Sequence, residues 1–170
     1  SASINDKNLH HVAGTRNGSS LMDIIDGIID QSITVSAFSY DNTANLILGN
    51  SICNAFFNGQ IDEVRIWNVA RNVNDINLLK NASLIGNEAG LITYYDFNNG
   101  PAIPGGNNTD LTVLDDNSSS NNNGTLVNFA LTGNSSNWLG NPVNVNTPGY
   151  PSSTPTLCIN TTLTLSLIHI

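Results

Sequence analysis

Residues Asn58–Asn81, which read NGQIDEVRIWNVARNVNDINLLKN, decide the fold class of this chain. An Asn-Gly turn leads into a strand pattern at Gln60–Trp67, and a short amphipathic helix follows, which we expect to begin after Asn72 or Asn74. Because strand side chains alternate between faces, Asp62, Val64 and Ile66 should share one face. Ile61, Glu63, Arg65 and Trp67 should share the other face. Apolar residues on both faces predict a strand inside a sandwich, partly covered by the helix.

The rest of the chain consists mainly of short strand patterns separated by turn signals. Strands are predicted at Leu9–Thr15, Leu21–Asp26, Ile28–Val35 and Asn45–Gly49, with hairpin turns at Asn17-Gly18 and Gly27. Further strands are predicted at Leu91–Phe97, Leu111–Leu114, Gly124–Leu131 and Asn137–Leu139. Many short strands with one brief helix predict an all-β, antiparallel sandwich, and the alternation that marks a doubly wound sheet is absent from the sequence.

The composition excludes several classes of function. The chain has 170 residues and a formal net charge of −8, and about one residue in six is Asn, well above ordinary usage. Without a cluster of Lys or Arg, binding to nucleic acid is not expected. No apolar run has the roughly 20 residues needed to span a bilayer, so membrane insertion is not expected either.

The order of these blocks resembles the laminin G-like, or concanavalin A-like, jelly-roll family. LHHVAGTRNGSSLMDIIDG (9–27) resembles the family's His-His-Val-Ala strand and the hairpin that follows it, with Leu9 in place of the usual Trp. NLILGN and FNGQIDEVRIWNVAR resemble its later half, and GLITYYDFNNG (90–100) its closing segment. The resemblance covers roughly Leu9–Trp138.

The resemblance also carries expectations about the parent protein. The family's first strands have no counterpart before the His-His-Val-Ala block, so residues 1–140 are expected to form a partial jelly roll with some exposed inner face. Residues 141–156 resemble a linker, and residues 157–170 the start of another module. The last six of these, LSLIHI, instead resemble a translated sequencing adapter. Such domains occur in large secreted or cell-surface bacterial proteins, where further domains of the same chain accompany them.

Two pairs of residues raise the question of catalysis or metal binding. His10 and His11 occupy adjacent strand positions, so they should point to opposite faces, one of them packing inward with a hydrogen-bonded ring. Glucanase relatives place two carboxylates about 5 Å apart on one strand face. Asp62 and Glu63 are adjacent and should face opposite ways; we expect Glu63 to pair with Arg65, and Asp62 to accept hydrogen bonds from loop backbone.

Calcium and sugar binding remain open from the sequence. In pentraxin-like relatives the loop after the NLILGN strand carries acidic metal ligands, but residues 50–54 here contain no carboxylate. Hard oxygen ligands of the kind that bind Ca²⁺ occur at Asp115–Ser118 and Asn121–Asn123, which makes Asp116 a candidate Ca²⁺ ligand. In the alternative interpretation, the side chains of this loop only cap its own turns. Tyr95 and Trp138 are candidates for stacking on a sugar ring. Because Tyr94 and Tyr95 lie on opposite faces of their strand, we expect one ring in the core and the other exposed. Trp67 should pack on the following helix.

The two cysteines, Cys53 and Cys158, could form a disulfide or could be unrelated, since they have no spacing pattern. From the resemblance we expect a non-catalytic recognition, adhesion or spacer module that binds a glycan or an extracellular protein. The alternatives are an accessory module of a carbohydrate-active enzyme and a catalytic glucanase-like domain. The last would need two convergent carboxylates, which the strand does not supply.

Overall fold

The computed structural model describes residues 4, 6, 8–36, 44–50, 57–99, 105–133 and 137–138. Nine strands and one helix lie in this part of the chain: β1 Val12–Asn17, β2 Ser20–Ile25, β3 Ile28–Thr34, β4 Val64–Trp67, α1 Val73–Leu79, β5 Leu91–Tyr95, β6 Gly105–Asn107, β7 Val113–Leu114, β8 Gly124–Thr125 and β9 Thr132–Gly133. Every strand pair among them is antiparallel. The predicted all-β class with one short helix is confirmed.

Strands β1, β2 and β3 form a three-stranded meander. Asn17 pairs with Ser20 across the two-residue turn Gly18-Ser19, one position later than the predicted Asn17-Gly18 turn. Ile25 pairs with Ile28 across the Asp26-Gly27 turn, so the predicted reversal at Gly27 is confirmed. Strand β1 begins at Val12 rather than at Leu9. The face of the sheet opposite the helix carries Ile28, which is 72% exposed, in line with the expected exposure of apolar surface.

Helix α1 begins as the sequence predicts and packs on the opposite face of the meander. The side chain of Asn72 accepts a hydrogen bond from the N–H of Asp75 at 3.0 Å, which satisfies one of the free N–H groups of the first turn. Ile76, with Val73 beside it, packs against Ala13 of β1 and Ile24 of β2. The helix therefore covers the meander through a small apolar cluster.

Strand β4 is shorter than predicted, and its alternation starts later. Gln60, Ile61, Asp62 and Glu63 lie outside the strand, and Glu63 has a φ of 54°. A left-handed residue breaks the two-residue period. Ile61 and Val64, which the alternation assigned to opposite faces, are therefore buried in the same core cluster.

Strand β5 pairs with β4 and divides the remaining core into two parts. Tyr95 of β5 joins Val64, Phe97 and Trp138 in the largest cluster. Trp67 forms a separate cluster with Leu91 and Tyr94, and Leu79 of α1 packs against this cluster, so the helix lies against the cluster that contains Trp67. The guanidinium of Arg71 lies 3.9 Å from the centroid of the Trp67 ring.

Other predicted strands are wrong or shortened. The described residues 45–49 are not in a strand, only Gly124 and Thr125 of 124–131 are, and Asn137 and Trp138 lie outside strands. Strand β6 falls in a stretch predicted as loop, because its three residues, Gly105–Asn107, carry no periodic apolar signal. Cys53, Cys158, and residues 141–156 and 157–170 lie outside the described residues. In the part of the chain that the structure describes, no helix is long and apolar enough to be a membrane span.

Candidate functional site

The candidate site is the segment 117–123, NSSSNNN, whose backbone is hydrogen-bonded to β5 and to Asp116 and which we call the Asn/Ser loop. It lies between β7 and β8 and crosses the β5 strand. Ser118 is buried, whereas the other six residues are exposed. The loop therefore presents a row of amide and hydroxyl groups to solvent, with one residue turned inward as an anchor.

The carboxylate of Asp116 holds this loop. Its Oδ1 accepts hydrogen bonds from the N–H of Tyr94 at 2.8 Å and of Ser118 at 2.9 Å. Its Oδ2 accepts from the hydroxyl of Ser118 at 2.9 Å and from the N–H of Asn122 at 2.7 Å. The N–H of Asp116 itself donates to the side chain of Asn123 at 2.9 Å. One buried carboxylate thus fixes both ends of the loop and joins them to β5.

Strand β5 provides further anchors. The hydroxyl of Tyr95 donates to the backbone carbonyl of Asn122 at 2.5 Å, and the side-chain amide of Asn122 donates to the backbone carbonyl of Ile92 at 3.2 Å. The N–H of Asn117 donates to the carbonyl of Tyr94 at 2.8 Å. Because the backbone of the loop is held at several points, its exposed side chains project from a rigid support.

Asp116 is an anchor in this structure, and its geometry gives calcium binding no support. Burial raises the pKa of Asp116, but hydrogen bonds from Tyr94, Ser118 and Asn122 outweigh it and keep the pKa below its usual value. A carboxylate has about four lone-pair positions, and four donors already occupy them. Among the described residues, no three His, Cys, Asp or Glu side chains are grouped as a metal site. Calcium binding by Asp116 stays a prediction.

The predicted exposure of the aromatic candidates is wrong. Tyr95 is 6% exposed and Trp138 is fully buried, and Tyr94 on the other face of β5 is 3% exposed. The indole N–H of Trp138 donates to the carbonyl of Leu111 at 3.3 Å, so the ring is part of the core. Neither candidate ring offers a face to a sugar. Sugar binding by Tyr95 and Trp138 stays a prediction that their burial does not favour.

Glu63 is committed to an ion pair, as the sequence predicts. Its Oε2 lies 2.5 Å from a guanidinium nitrogen of Arg65, and both its oxygens accept from the hydroxyl of Tyr94, at 3.0 and 2.9 Å. Arg65 is 7% exposed and also donates to the carbonyls of Leu79 and Ala82. The carboxylate therefore closes a network that joins β4, β5 and the segment after α1.

Asp62 has the most perturbed carboxyl group of the described acids. Burial raises the pKa of Asp62 to about 7, and the neighbouring charges of Glu63 and Asp96 add to the rise. Its Oδ1 accepts a hydrogen bond from the N–H of Glu63 at 3.0 Å, which agrees with the predicted contact to loop backbone. Asp62 is thus a carboxyl group that exchanges its proton near neutral pH.

The two histidines are in different environments. The ring of His10 lies between the carboxylates of Asp6 and Asp26. The Nδ1 of His11 is buried and has no hydrogen-bond partner, and burial lowers the pKa of His11 to about 4. The prediction that the inward histidine has a hydrogen-bonded ring is therefore wrong: the hydrogen-bonded ring is that of His10.

Sequence reasoning did not identify the anchors of the Asn/Ser loop on β5. The pattern Asp116-Asn117-Ser118 is typical of a side chain that caps its own turn, which was one of the two interpretations of this segment. The contribution of Tyr94 could not be found in this way, because its backbone N–H carries no sequence signal.

Comparison with known proteins finds one family that resembles the first part of the chain. Residues 1–77 match the laminin G family model described as the concanavalin A-like lectin/glucanases superfamily. The matched segment contains the β1–β3 meander, β4 and most of α1. No curated protein and no solved structure gave a significant match. The resemblance of residues 78–138 stays a prediction.

The superfamily includes binding and catalytic members, as its description states. Together with the antiparallel β-fold, the match supports a carbohydrate- or protein-binding module in general terms. Fold membership alone does not identify a ligand, so the ligand has to be argued from the exposed groups of the Asn/Ser loop.

Proposed function

We propose that this chain is a non-catalytic recognition module of a large exported or cell-surface bacterial protein, and that it binds a hydroxyl-rich ligand, a glycan in the first place. The observation that carries the proposal is the Asn/Ser loop, whose exposed amides and hydroxyls stand on a backbone fixed by Asp116 and β5. In the second form of the proposal, the module has an adhesion or spacer role and the same surface binds a protein.

The chemistry of the loop suits an uncharged polar ligand. Each amide side chain offers two donors and a carbonyl acceptor, and each hydroxyl donates and accepts, which matches the mixed donors and acceptors of sugar hydroxyls. Preorganised polar groups lose little conformational entropy on binding. Since the described aromatic rings of β5 are buried, binding would depend on hydrogen bonds and bridging water rather than on stacking.

The acids support the non-catalytic assignment. Glu63 is held by Arg65 and Tyr94, and Asp116 accepts four hydrogen bonds, so neither is available as a nucleophile or a base. Retaining and inverting glycosidases both need two available carboxyl groups flanking the scissile bond. An accessory module beside a separate catalytic unit is equally compatible with the loop.

One observation favours a catalytic alternative, and it concerns Asp62. A carboxyl group with a pKa of about 7 is suited to a general acid, and Asp96 contributes to the field around it. The catalytic alternative therefore assigns the acid to Asp62 and the second carboxylate to Asp96. Hydrolysis of a β-glucan by the purified chain, abolished in both Asp62→Asn and Asp96→Asn, would establish it and overturn the non-catalytic assignment.

The binding proposal is tested by glycan-array screening of the chain, followed by titration calorimetry on the glycans that bind. The variant Asn117→Ala/Ser120→Ala removes two exposed loop side chains for which the structure shows no hydrogen bonds. We expect it to weaken binding at least about tenfold, which corresponds to about 1.4 kcal/mol. The matched control is Asn81→Ala/Ser83→Ala, which removes the same two residue types from an exposed segment after α1.

Two outcomes would contradict the proposal. Equal affinities for the loop variant, the control and the unaltered chain would show that the ligand binds elsewhere. Loss of binding after chelation would show that a metal ion, not the hydrogen-bonded loop alone, forms the site. Circular dichroism of each variant shows whether the β-fold is retained.

A further inference from the structure

The ring of His10 connects two parts of the chain through carboxylates. Its Nδ1 lies 2.8 Å from Oδ2 of Asp26, and its Nε2 lies 3.0 Å from Oδ1 of Asp6. An ionised carboxylate only accepts hydrogen bonds, so both ring nitrogens must donate. Both can donate only when the ring carries two protons and a positive charge. We call this arrangement the His10 bridge.

Asp26 is fixed independently of the bridge. Its Oδ1 accepts from the N–H of His11 at 2.9 Å, and its N–H donates to the His11 carbonyl at 2.8 Å. Its own carbonyl accepts from the ammonium of Lys80, after α1, at 2.6 Å. The turn between β2 and β3 is thus held by His11, just before β1, and by Lys80, just after α1, whatever the charge of His10.

Asp6 has no comparable support. Its described contacts are to the N–H and the side-chain amide of Asn8, both at 2.8 Å, and to His10. Among the described contacts, the His10 bridge is therefore what joins Asp6 to the sheet. Removing the ring's second proton would set a nitrogen lone pair against a carboxylate oxygen and break one of the two contacts.

We propose that the His10 bridge is a pH-dependent latch, which holds the segment containing Asp6, Asn8 and Leu9 against the β2–β3 turn when the ring is charged and releases it when the ring loses a proton. The latch is a conformational device in the part of the chain that matches the laminin G-like superfamily, and it is independent of the Asn/Ser loop.

The charges around the bridge set the direction of the response. Hydrogen bonds from the ring to Asp26 and then to Asp6 raise the pKa of His10. The latch therefore contributes fully below about pH 6.5, the unfolded value, and is lost as the pH rises through the raised pKa. On the acid side, hydrogen bonds from Asn8 and His10 lower the pKa of Asp6 to about 2. The latch is consequently closed across mildly acidic pH and opens as the pH rises through the raised pKa of His10.

The charged groups on β4 and after α1 act on the pKa of His11, which affects global unfolding rather than the latch. Burial lowers the pKa of His11, and the charges of Arg65 on β4 and Lys80 after α1 lower it further. Protonation of His11 in the unfolded state therefore destabilises the whole domain as the pH falls below about 6.5, where the latch is already closed. Only a local measurement on the N-terminal segment separates the two.

The test is NMR on the full chain. The ring-proton chemical shift of His10 is followed as a function of pH in the unaltered protein, in Asp6→Asn and in Asp26→Asn. The backbone ¹³C order parameters of Asn8 and Leu9 are measured at pH 5.5 and 8.5. We expect a pKa for His10 above 6.5 that falls in both variants, by about 0.5 or more in Asp6→Asn. We expect order parameters near 0.85 at pH 5.5 and below about 0.6 at pH 8.5.

Two further variants complete the test. His10→Gln cannot carry the charge, so its segment should be mobile at both pH values, whereas His11→Gln should keep the pH dependence of the segment. Unchanged order parameters between the two pH values would overturn the proposal. So would a His10→Gln segment as rigid as that of the unaltered protein at pH 5.5.

Discussion

The carboxylate of Asp116 and the backbone N–H of Tyr94 form a buried hydrogen bond of 2.8 Å between residues 22 positions apart in the sequence. With the three other bonds to the same carboxylate, it joins the exposed Asn/Ser loop to the central β4–β5 pair. The rigidity of the candidate binding surface therefore depends on one buried acid.

Replacing Asp116 should destabilise the protein and loosen the loop. The change Asp116→Ala leaves donors of Tyr94, Ser118 and Asn122 without their acceptor, so we expect a loss of roughly 3 kcal/mol in the free energy of unfolding. Urea denaturation measures the loss, and hydrogen exchange of residues 117–122 measures the loosening. The control Asp110→Ala, at an exposed position, should change stability by less than about 0.5 kcal/mol. Equal effects of the two changes would contradict the anchoring role.

Arg65 should be among the most sensitive polar residues of the domain. The change Arg65→Met leaves Glu63 without its cation and two carbonyls without donors, and should cost at least about 3 kcal/mol. Arg65→Lys should recover only part of this, because an ammonium cannot reproduce the geometry of the guanidinium fork. A double-mutant cycle with Glu63→Gln measures the coupling, which we expect to lie between about 0.5 and 3 kcal/mol. A coupling of zero would show that Glu63 and Arg65 act independently.

Gly86 and Gly18 provide a matched pair of glycine substitutions. Both have a positive φ, 92° and 60°, so alanine introduces backbone strain at either. A Cβ at Gly86 would lie 1.9 Å from the backbone oxygen of Asn117, whereas a Cβ at Gly18 meets nothing within 4 Å. Gly18→Ala should therefore cost about 1 kcal/mol, and Gly86→Ala at least about 2 kcal/mol more, because a backbone atom of the Asn/Ser loop must move. Thermal unfolding of the two variants tests the difference, and equal midpoints would refute it.

His11 and Asp62 should give opposing pH dependences of stability. The folded pKa of His11 is lowered to about 4, so its protonation in the unfolded state favours unfolding as the pH falls from about 6.5. The folded pKa of Asp62 is raised to about 7, so its ionisation in the unfolded state favours unfolding as the pH rises from about 3.9.

The two effects can be separated by substitution. Between pH 4.5 and 6.5, stability should rise more steeply with pH in Asp62→Asn than in the unaltered protein, and less steeply in His11→Gln. Urea denaturation of the three proteins at several pH values measures these slopes. A slope that changes in the opposite direction in either variant would show that the pKa direction of the replaced residue is wrong.

The burial of Trp138 can be tested by fluorescence. In the variant Trp67→Phe, Trp138 is the remaining tryptophan of the chain. Because its ring is fully buried among Phe97 and other apolar side chains, its emission should be blue-shifted and insensitive to iodide. Added glycan should leave this emission unchanged. A red-shifted, quenchable emission would restore Trp138 as a candidate for sugar stacking.

Local sequence signals were sufficient to predict the features whose contacts lie within a few residues of one another. The reversal beside Asn17-Gly18 was predicted to within one position, the turn at Gly27 was predicted directly, and Asn72 is one of the two predicted helix starts. Each of these features depends on backbone conformation or hydrogen bonds within about four positions. The ion pair of Glu63 with Arg65 was also predicted, since the two residues lie two positions apart on one segment.

Other features depended on long-range packing and were misassigned. The alternation rule placed Ile61 and Val64 on opposite faces, but the left-handed backbone at Glu63 brings both into the core. The same rule predicted that one of the two rings, Tyr94 or Tyr95, would be exposed and the other buried. Both are buried, because packed clusters lie on either side of β5.

The sequence by itself determined the antiparallel class, the hairpins, the capped helix and the similarity of residues 1–77 to the laminin G family model. These follow from side-chain periodicity, turn chemistry and residue order, which are properties of neighbouring positions. Only the tertiary structure decided that Asp116 anchors a loop, that Tyr95 and Trp138 are core residues and that His10 lies between two carboxylates. Each of these features depends on contacts between groups that are distant in sequence and on the extent to which those groups are buried away from water. No local sequence pattern encodes either.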